Sequence, residues 1–561
     1  MTTAHDISAA YPLTPTQELM LLHDISRPES DACFVQYSLR VHGAFAPERY
    51  FQAWQQVAQR HTALRTCFAW EGLEQPLQVV MTGADVPYTL LDWTDQDVTD
   101  DDIAACAKAD CTAGFQLTRA PLLRLTVIRL DDRTHHILLG LHHLIVDGWS
   151  VELLLRQVAQ EYGGASAGTE DTADFASYVD WLAGQDQQRA QDYWRGALSG
   201  SVPGAGRPGA LLRPPHRQAG SLVERRSQLS GDIAAALAER ARHHRVTLNT
   251  MVRAAWGLLL ARYAGREEAI FAVTVAGRPP ELPGVEGVIG PFLTNVPVRL
   301  RPPAGRPLGA WLADVQCQQL ELGEYQWCSL AQIRQWSGAQ GAPATCESLL
   351  VFQNYPGERE LPRLADDCRI ERHPIGGPSV RTGFPLTLTV TADSGLELRT
   401  CHDSAVISQP GIARLHEDFA ALLTALAGEA ETLDDLPLPP CWSVPVEQRD
   451  RRRSITTTYT APRTPLEILV AELMAEVLEV DELGRDDNFF DAGGTSVDAM
   501  HLSWRLRTRF EIDLPVAKVF EHATVATLAE LVLTERIRAA GSTADGSELN
   551  ASAASPSTIG S

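Results

Sequence analysis

The sequence predicts an α/β body of about 435 residues followed by a small all-helical unit. Three observations lead there. Strand-like and helix-like segments alternate from residue 1 to about 435, the pattern of a layered α/β architecture. The stretch LPLPPCWSVPVEQRDRRRSITTTYTAPR, residues 436–463, is rich in Pro, Arg and Thr and has no sustained period, so it reads as a linker. Residues 464–538 are helical by pattern, and 539–561, AAGSTADGSELNASAASPSTIGS, are small, polar and low in complexity, the composition of a disordered tail.

Length and charge bound the possibilities. A chain of 561 residues exceeds one core and suggests two to four domains. A weaker break, EYGGASAGTEDTADFASY at 161–178, divides the body into 1–170 and 171–435. The hydrophobic fraction of 44% is that of globular protein, and a formal charge of −23 speaks against nucleic acid or an anionic membrane as partner. MTTAHDISAAYPLTPTQ has no basic stretch leading into an apolar core, and apolar runs such as WGLLLARYAG stop short of a membrane span. Ten cysteines lie scattered without a Cys-x-x-Cys. Reduced thiols in a cytoplasmic protein are the expectation.

Along the body, PLLRLTVIRLDDRTHHILLGLHH holds two β-like runs joined at Asp131-Asp132, a hairpin pattern. It ends in LHHLIVDGWS, residues 141–150, where two histidines are followed by Asp147-Gly148. The pairs His135-His136 and His243-His244 have no aspartate four residues on, so they show what an uninformative His-His looks like. Ser150 is a candidate cap for a helix whose apolar positions Val151, Leu154, Leu155, Val158 and Tyr162 follow helical spacing. His142 and His143 then close a strand, and Asp147-Gly148 turn the chain into a helix. Neighbours on a strand face opposite ways, so only one of the two imidazoles points into any one cavity. The same alternation speaks against a metal site built from His135, His136, His142 and His143, and no metal is expected.

In the C-terminal unit, TPLEILVAELMAEVLEV opens with Thr464 as N-cap, Pro465 at the first helical position and Glu467 completing a capping box. Gly493-Gly494 make a tight turn, and Ser496 stands where a new helix begins. A serine there caps a helix or offers an accessible hydroxyl where amide dipoles favour an anion.

HHLIVDG resembles the His-His-x-x-x-Asp-Gly signature of the condensation domains of nonribosomal peptide synthetases. RHTALRTCF (60–68), DFASYVDW (174–181), GVIGPFLTNVPVRL (287–300) and SLLVFQNYP (348–356) resemble further elements of that family in order, over residues 8–435. EYQWCSL (324–330) departs from the family's His-Gln-Asp-like stretch. The resemblance implies two chloramphenicol-acetyltransferase-like lobes in a V. It implies His143 as the catalytic residue for attack of an amine on a thioester, as base or as positioner. Asp147 is then a structural partner for an arginine, Arg278 first and Arg65 second. His142 packs or hydrogen-bonds away from the tunnel, and Gly148 completes the motif.

DNFFDAGGTS is similar to the peptidyl carrier motif, with Thr495 where His or Asp is frequent. That similarity implies 4′-phosphopantetheine on Ser496 in a small four-helix bundle. Val497, Met500 and Leu502 then suit partner docking or packing within the bundle. Condensation followed by carrier implies amide-bond formation with an upstream carrier on another protein as donor, and a downstream synthetase or thioesterase. No adenylation domain fits between Leu436 and Thr464. A separate adenylation enzyme is therefore expected to load Ser496 after a phosphopantetheinyl transferase has acted. A non-catalytic platform that recruits tailoring enzymes, an epimerisation domain and an ester-forming variant are the alternatives.

Overall fold

The structure is a computed structural model. It describes all residues except 1–5, 27–32, 74, 165–173, 202–204, 206–221, 303–304, 338–345, 354–360, 374–381, 393–394, 438–458, 479, 481, 493, 495, 511, 513 and 549–561. The chain divides into two compact units, a larger one within Met1–Ser443 and a smaller one over Val444–Ser561.

The larger unit is mixed α/β, as its alternating pattern predicts. A first sheet orders its strands Cys368–Arg372, Phe34–Gly43, Thr134–His142, Leu123–Arg129 and Tyr88–Asp92. Leu123–Arg129 and Thr134–His142 form the expected antiparallel hairpin. Its turn is closed by Leu130 N donating to Thr134 O (3.0 Å) and by Arg133 N donating to Asp131 Oδ1 (2.7 Å). The helices Pro47–Arg60 and Gly148–Gly163 cover this sheet, burying Trp54, Val57, Leu154, Leu155 and Val158 in one apolar cluster.

A second sheet of six strands runs Thr294–Leu300, Ala269–Val275, Ser348–Gln353, Leu386–Ala392, Leu396–Asp403 and Leu222–Leu229. The helix Leu248–Ala264 lies in its core, with Trp256 fully buried and packed edge-on to Phe419. Residues 250–261 are all buried, so this stretch is mainly apolar on every face, with Arg253 enclosed among the apolar side chains.

Among the described residues, one strand pairing crosses the division at 170/171. Cys368–Arg372, from the second half of the body, pairs antiparallel with Phe34–Gly43 and completes the first sheet. The join is close enough that Gly43, at φ +116°, could not carry a Cβ, which would lie 1.7 Å from Asp367 O. Arg372 pairs with the buried Glu152 on the covering helix. Strand pairing between such distant segments leaves no local trace, which is why the break in composition does not reveal it.

The smaller unit is helical, with helices Pro465–Leu478, Ser496–Phe510, Val516–Glu521 and Val525–Glu548. The capping box forms as expected: Glu467 N donates to Thr464 Oγ1 (3.1 Å) and Thr464 N to Glu467 Oε2 (3.4 Å). The last helix continues to Glu548, past residue 539 where the composition suggested a tail; residues 549–561 lie outside the described residues. Most of the stretch 436–463 lies outside them too.

Candidate active site

The strand Thr134–His142 delivers the two histidines to a short turn, residues 143–147, before the helix Gly148–Gly163. His142 is buried. Its Nδ1 accepts from Leu144 N (3.2 Å), and its Nε2 lies 3.0 Å from Asp24 Oδ2. His143 is half-buried, and its backbone N donates to Cys33 O at 2.9 Å. Its Nδ1 lies 3.2 Å from Val146 O, which can only accept, so Nδ1 carries the proton. The lone pair is thereby left on Nε2, for which the described residues offer no hydrogen-bond partner. Burial lowers the His143 pKa; the Val146 carbonyl and the Asp147 and Asp24 charges act against this, and His142 acts with it. The imidazole is therefore neutral near pH 7.

Asp147 is where the two halves of the body meet. Its Oδ1 accepts from Ser150 N (2.7 Å), so Asp147, rather than Ser150, is the N-cap of the helix that Gly148 begins. Its Oδ2 reaches the second half, accepting from Phe292 N (3.0 Å) and Leu293 N (3.2 Å). Arg278 Nη2 lies 3.6 Å from Oδ1, and both side chains are buried. Arg278 is thus the arginine of this pair, while Arg65 donates instead to Met81 O.

Ser150, freed from capping, donates to Gly290 O (2.8 Å) and accepts from Gly290 N (3.1 Å) and from Arg278 Nη2 (3.1 Å). Arg278 also donates to Val285 O and Val288 O and lies over the Phe292 ring. Phe175 and Tyr178, on the helix Phe175–Ala183, pack against Phe292. Burial, with the Asp147 charge beside it, pushes the Tyr178 hydroxyl well above the usual phenol range.

Behind the turn stands a buried amide pair. Gln17 Nε2 donates to Leu144 O (2.9 Å) and to Gln78 Oε1 (3.1 Å), and Gln78 Nε2 donates to Pro12 O (2.8 Å). Asp24, Gln17, Gln78 and the Phe292 and Leu293 amides are not legible as site groups in the sequence. A polar residue on a helix or strand carries no local sign of the turn it supports, and backbone donors carry no residue type. Gly290 lies within the segment GVIGPFLTNVPVRL, and its structural demand is plain: a Cβ there would come 2.2 Å from the Phe175 ring.

The other histidine pairs go elsewhere. His136 is buried against Ser38 Oγ (2.7 Å), His135 packs on Phe45, and His243 ends the helix Gly231–His243. Among the described residues no group of three or more metal-ligating side chains gathers. No helix among them is long and apolar enough to cross a membrane.

In the smaller unit, Ser496 is the first residue of the helix Ser496–Phe510. The chain enters it through Gly494, whose N donates to Phe489 O (2.9 Å) and where a Cβ would come 2.5 Å from the buried Phe489 ring. Ser496 thus opens a fifteen-residue helix, the end at which amide dipoles favour an anion. Gly493 and Thr495 lie outside the described residues, as do the side chains of Ser496, Val497 and Met500, whereas Leu502 is buried in the helical core.

Comparison with known proteins agrees in order and extent. A family model described as the condensation domain matches residues 7–437, and one described as a phosphopantetheine attachment site matches residues 469–532. Chondramide synthase cmdD of Chondromyces crocatus is 35% identical over 402 residues, covering 70% of this chain and 10% of that protein. A linear gramicidin synthase of Brevibacillus parabrevis is 33% identical over 450 residues, covering 77% and 9%. The chain thus spans about a tenth of the length of these relatives. The first condensation domain of the CDA synthetase superposes with a TM-score of 0.60 at 17% identity, over 77% of this chain and 100% of that one. The X-domain from teicoplanin biosynthesis does so with 0.63 at 22%, over 78% and 99%. Both show a shared fold.

Proposed function

This chain belongs to the condensation-domain family and carries a phosphopantetheine attachment domain behind it, and from that premise we propose that it forms an amide bond in nonribosomal peptide biosynthesis. The donor is an acyl or peptidyl thioester brought by an upstream carrier. The acceptor is an aminoacyl thioester on the arm of Ser496. When attached, the arm supplies a flexible thiol that carries the acceptor.

The observation that carries the reading is the state of His143. Its Nδ1 is committed to Val146 O, and burial favours the neutral ring, so Nε2 is left as a basic lone pair. That nitrogen accepts a proton from the attacking amine, or holds the amine in line with the thioester carbon. Attack forms the C–N bond, collapse breaks the C–S bond, and the proton returns to the departing thiolate. As a base, a positioned imidazole contributes on the order of 10²–10⁴-fold. Asp147 acts on the ring's place rather than on the proton, because both its oxygens are engaged by backbone amides.

The other participants follow from this chemistry: a phosphopantetheinyl transferase, an adenylation enzyme that loads Ser496, and a downstream synthetase or thioesterase that takes the product. The described cysteines are free thiols, the state that a reducing compartment such as the cytoplasm maintains. The other reading is a non-catalytic platform; the Nε2 of His143, which no described residue engages, favours catalysis.

The test is condensation between a donor-loaded carrier and the aminoacylated protein, read by intact mass. His143→Ala is expected to lower the rate by about 10²–10⁴-fold with the fold unchanged, and Ser496→Ala to take no arm from coenzyme A and a transferase. Near-normal turnover of His143→Ala would assign the chemistry elsewhere, and an arm on Ser496→Ala would move the attachment site.

A further inference from the structure

The His142 ring takes no part in the proton transfer assigned to His143, yet it is held on both sides. Its Nδ1 accepts from Leu144 N (3.2 Å), so the proton of the neutral ring sits on Nε2. That nitrogen faces Asp24 Oδ2 at 3.0 Å, with the two side chains only 7% and 13% exposed. Asp24 belongs to the helix Pro15–Ser26. The Cys33 thiol hydrogen-bonds to the same carboxylate, and the Cys33 carbonyl accepts from His143 N at 2.9 Å. One carboxylate therefore touches both supports of the His143 backbone: the ring of the preceding residue and the residue whose carbonyl holds its amide.

We propose that Asp24 is a positioning residue for condensation, fixing the orientation and Nε2–H tautomer of His142 and, with Cys33, the place of His143 beside it. This rests on the reading of His143 as the group that meets the amine. A nucleophilic triad of Cys33, His142 and Asp24 does not compete. Burial first, and then the Asp24 charge and hydrogen bond, push the thiol far above its ordinary range, so it stays protonated and donates.

The groups that act on the His143 charge are His142, Asp147 and Asp24, with Val146 O holding the Nδ1 proton. A negative Asp24 favours imidazolium at His143 and so works against burial. Removing that charge lowers the His143 pKa further and moves the acid limb of the rate to lower pH. The loss of rate then comes from a misplaced ring, not from a protonated one.

The experiment uses the full pantetheinylated chain and compares Asp24→Ala with Asp24→Glu. Asp24→Ala is expected to lower kcat about tenfold, the lower end of the effect of carboxylates that orient metal-bound histidines. The KM for the donor carrier should be unchanged and the acid limb shifted down, with Asp24→Glu recovering most of the rate. In ¹⁵N-histidine spectra, assigned by a His142→Gln difference, His142 is expected as the Nε2–H tautomer in the wild type and as a mixture in Asp24→Ala. Wild-type kcat and an unchanged tautomer in Asp24→Ala overturn the proposal, and so does equal slowing by Glu and Ala. If the wild type itself forms no amide, the functional reading fails, while the tautomer spectra still decide whether Asp24 holds His142.

Discussion

Asp147 shows how much one side chain can be asked to do. It caps a helix, accepts from two amides of a distant loop and faces Arg278. Breaking a buried pair by removing one partner typically costs about 3–5 kcal/mol. Arg278 keeps Val285 O, Val288 O and Ser150 Oγ as acceptors, so Asp147→Ala is expected at the lower end, about 3 kcal/mol. Denaturant unfolding of the protein measures it. Activity per folded molecule should fall less than in His143→Ala, and a fully stable but inactive Asp147→Ala would instead make the carboxylate a direct participant. The partner of Asp147 was legible because the motif names the carboxylate and the resemblance implies an arginine beside it. Asp24 was not legible, since a helix end meets the strand end only after both segments of chain have folded.

At the scale of elements, the strand–turn–helix around His143 could be read from periodicity alone. The loop that holds it from the other half could not. Gly290 gives both its N and its O to Ser150 Oγ, and its bare Cα leaves room for the Phe175 ring. A methyl at that position overpacks the contact, a change that typically costs about 1–3 kcal/mol. Gly290→Ala is therefore expected to unfold at lower denaturant and to slow condensation, because the loop it displaces carries the Phe292 and Leu293 amides. Unchanged stability with unchanged rate would mean that the Phe175 side chain moves aside without disturbing the staple. The cap also shows where pattern reading errs: Ser150 is a good N-cap by type, but Asp147 stands three residues earlier, and the hydroxyl has a buried carbonyl to satisfy instead.

For the whole molecule, the interval between the two family matches bears on how the arm is loaded. Between residues 437 and 469 there is room for a linker and none for an adenylation domain. Pantetheinylated protein mixed with ATP, magnesium and each amino acid in turn is expected to gain no mass. Addition of the matching adenylating enzyme should produce the aminoacyl increment, and loading without it would overturn the expectation. The order of the parts was legible because each carries a local motif. The strand Cys368–Arg372, which completes the first sheet against Phe34–Gly43, was not. That strand sets a timetable for biosynthesis. The other four strands of the sheet are all made by His142, but the fifth leaves the ribosome about 230 residues later, some 10–50 s at ordinary elongation rates. Through that interval Phe34–Gly43 is an open edge able to pair with another nascent chain, so slow synthesis or truncation before residue 368 should favour aggregation over a free-standing first lobe.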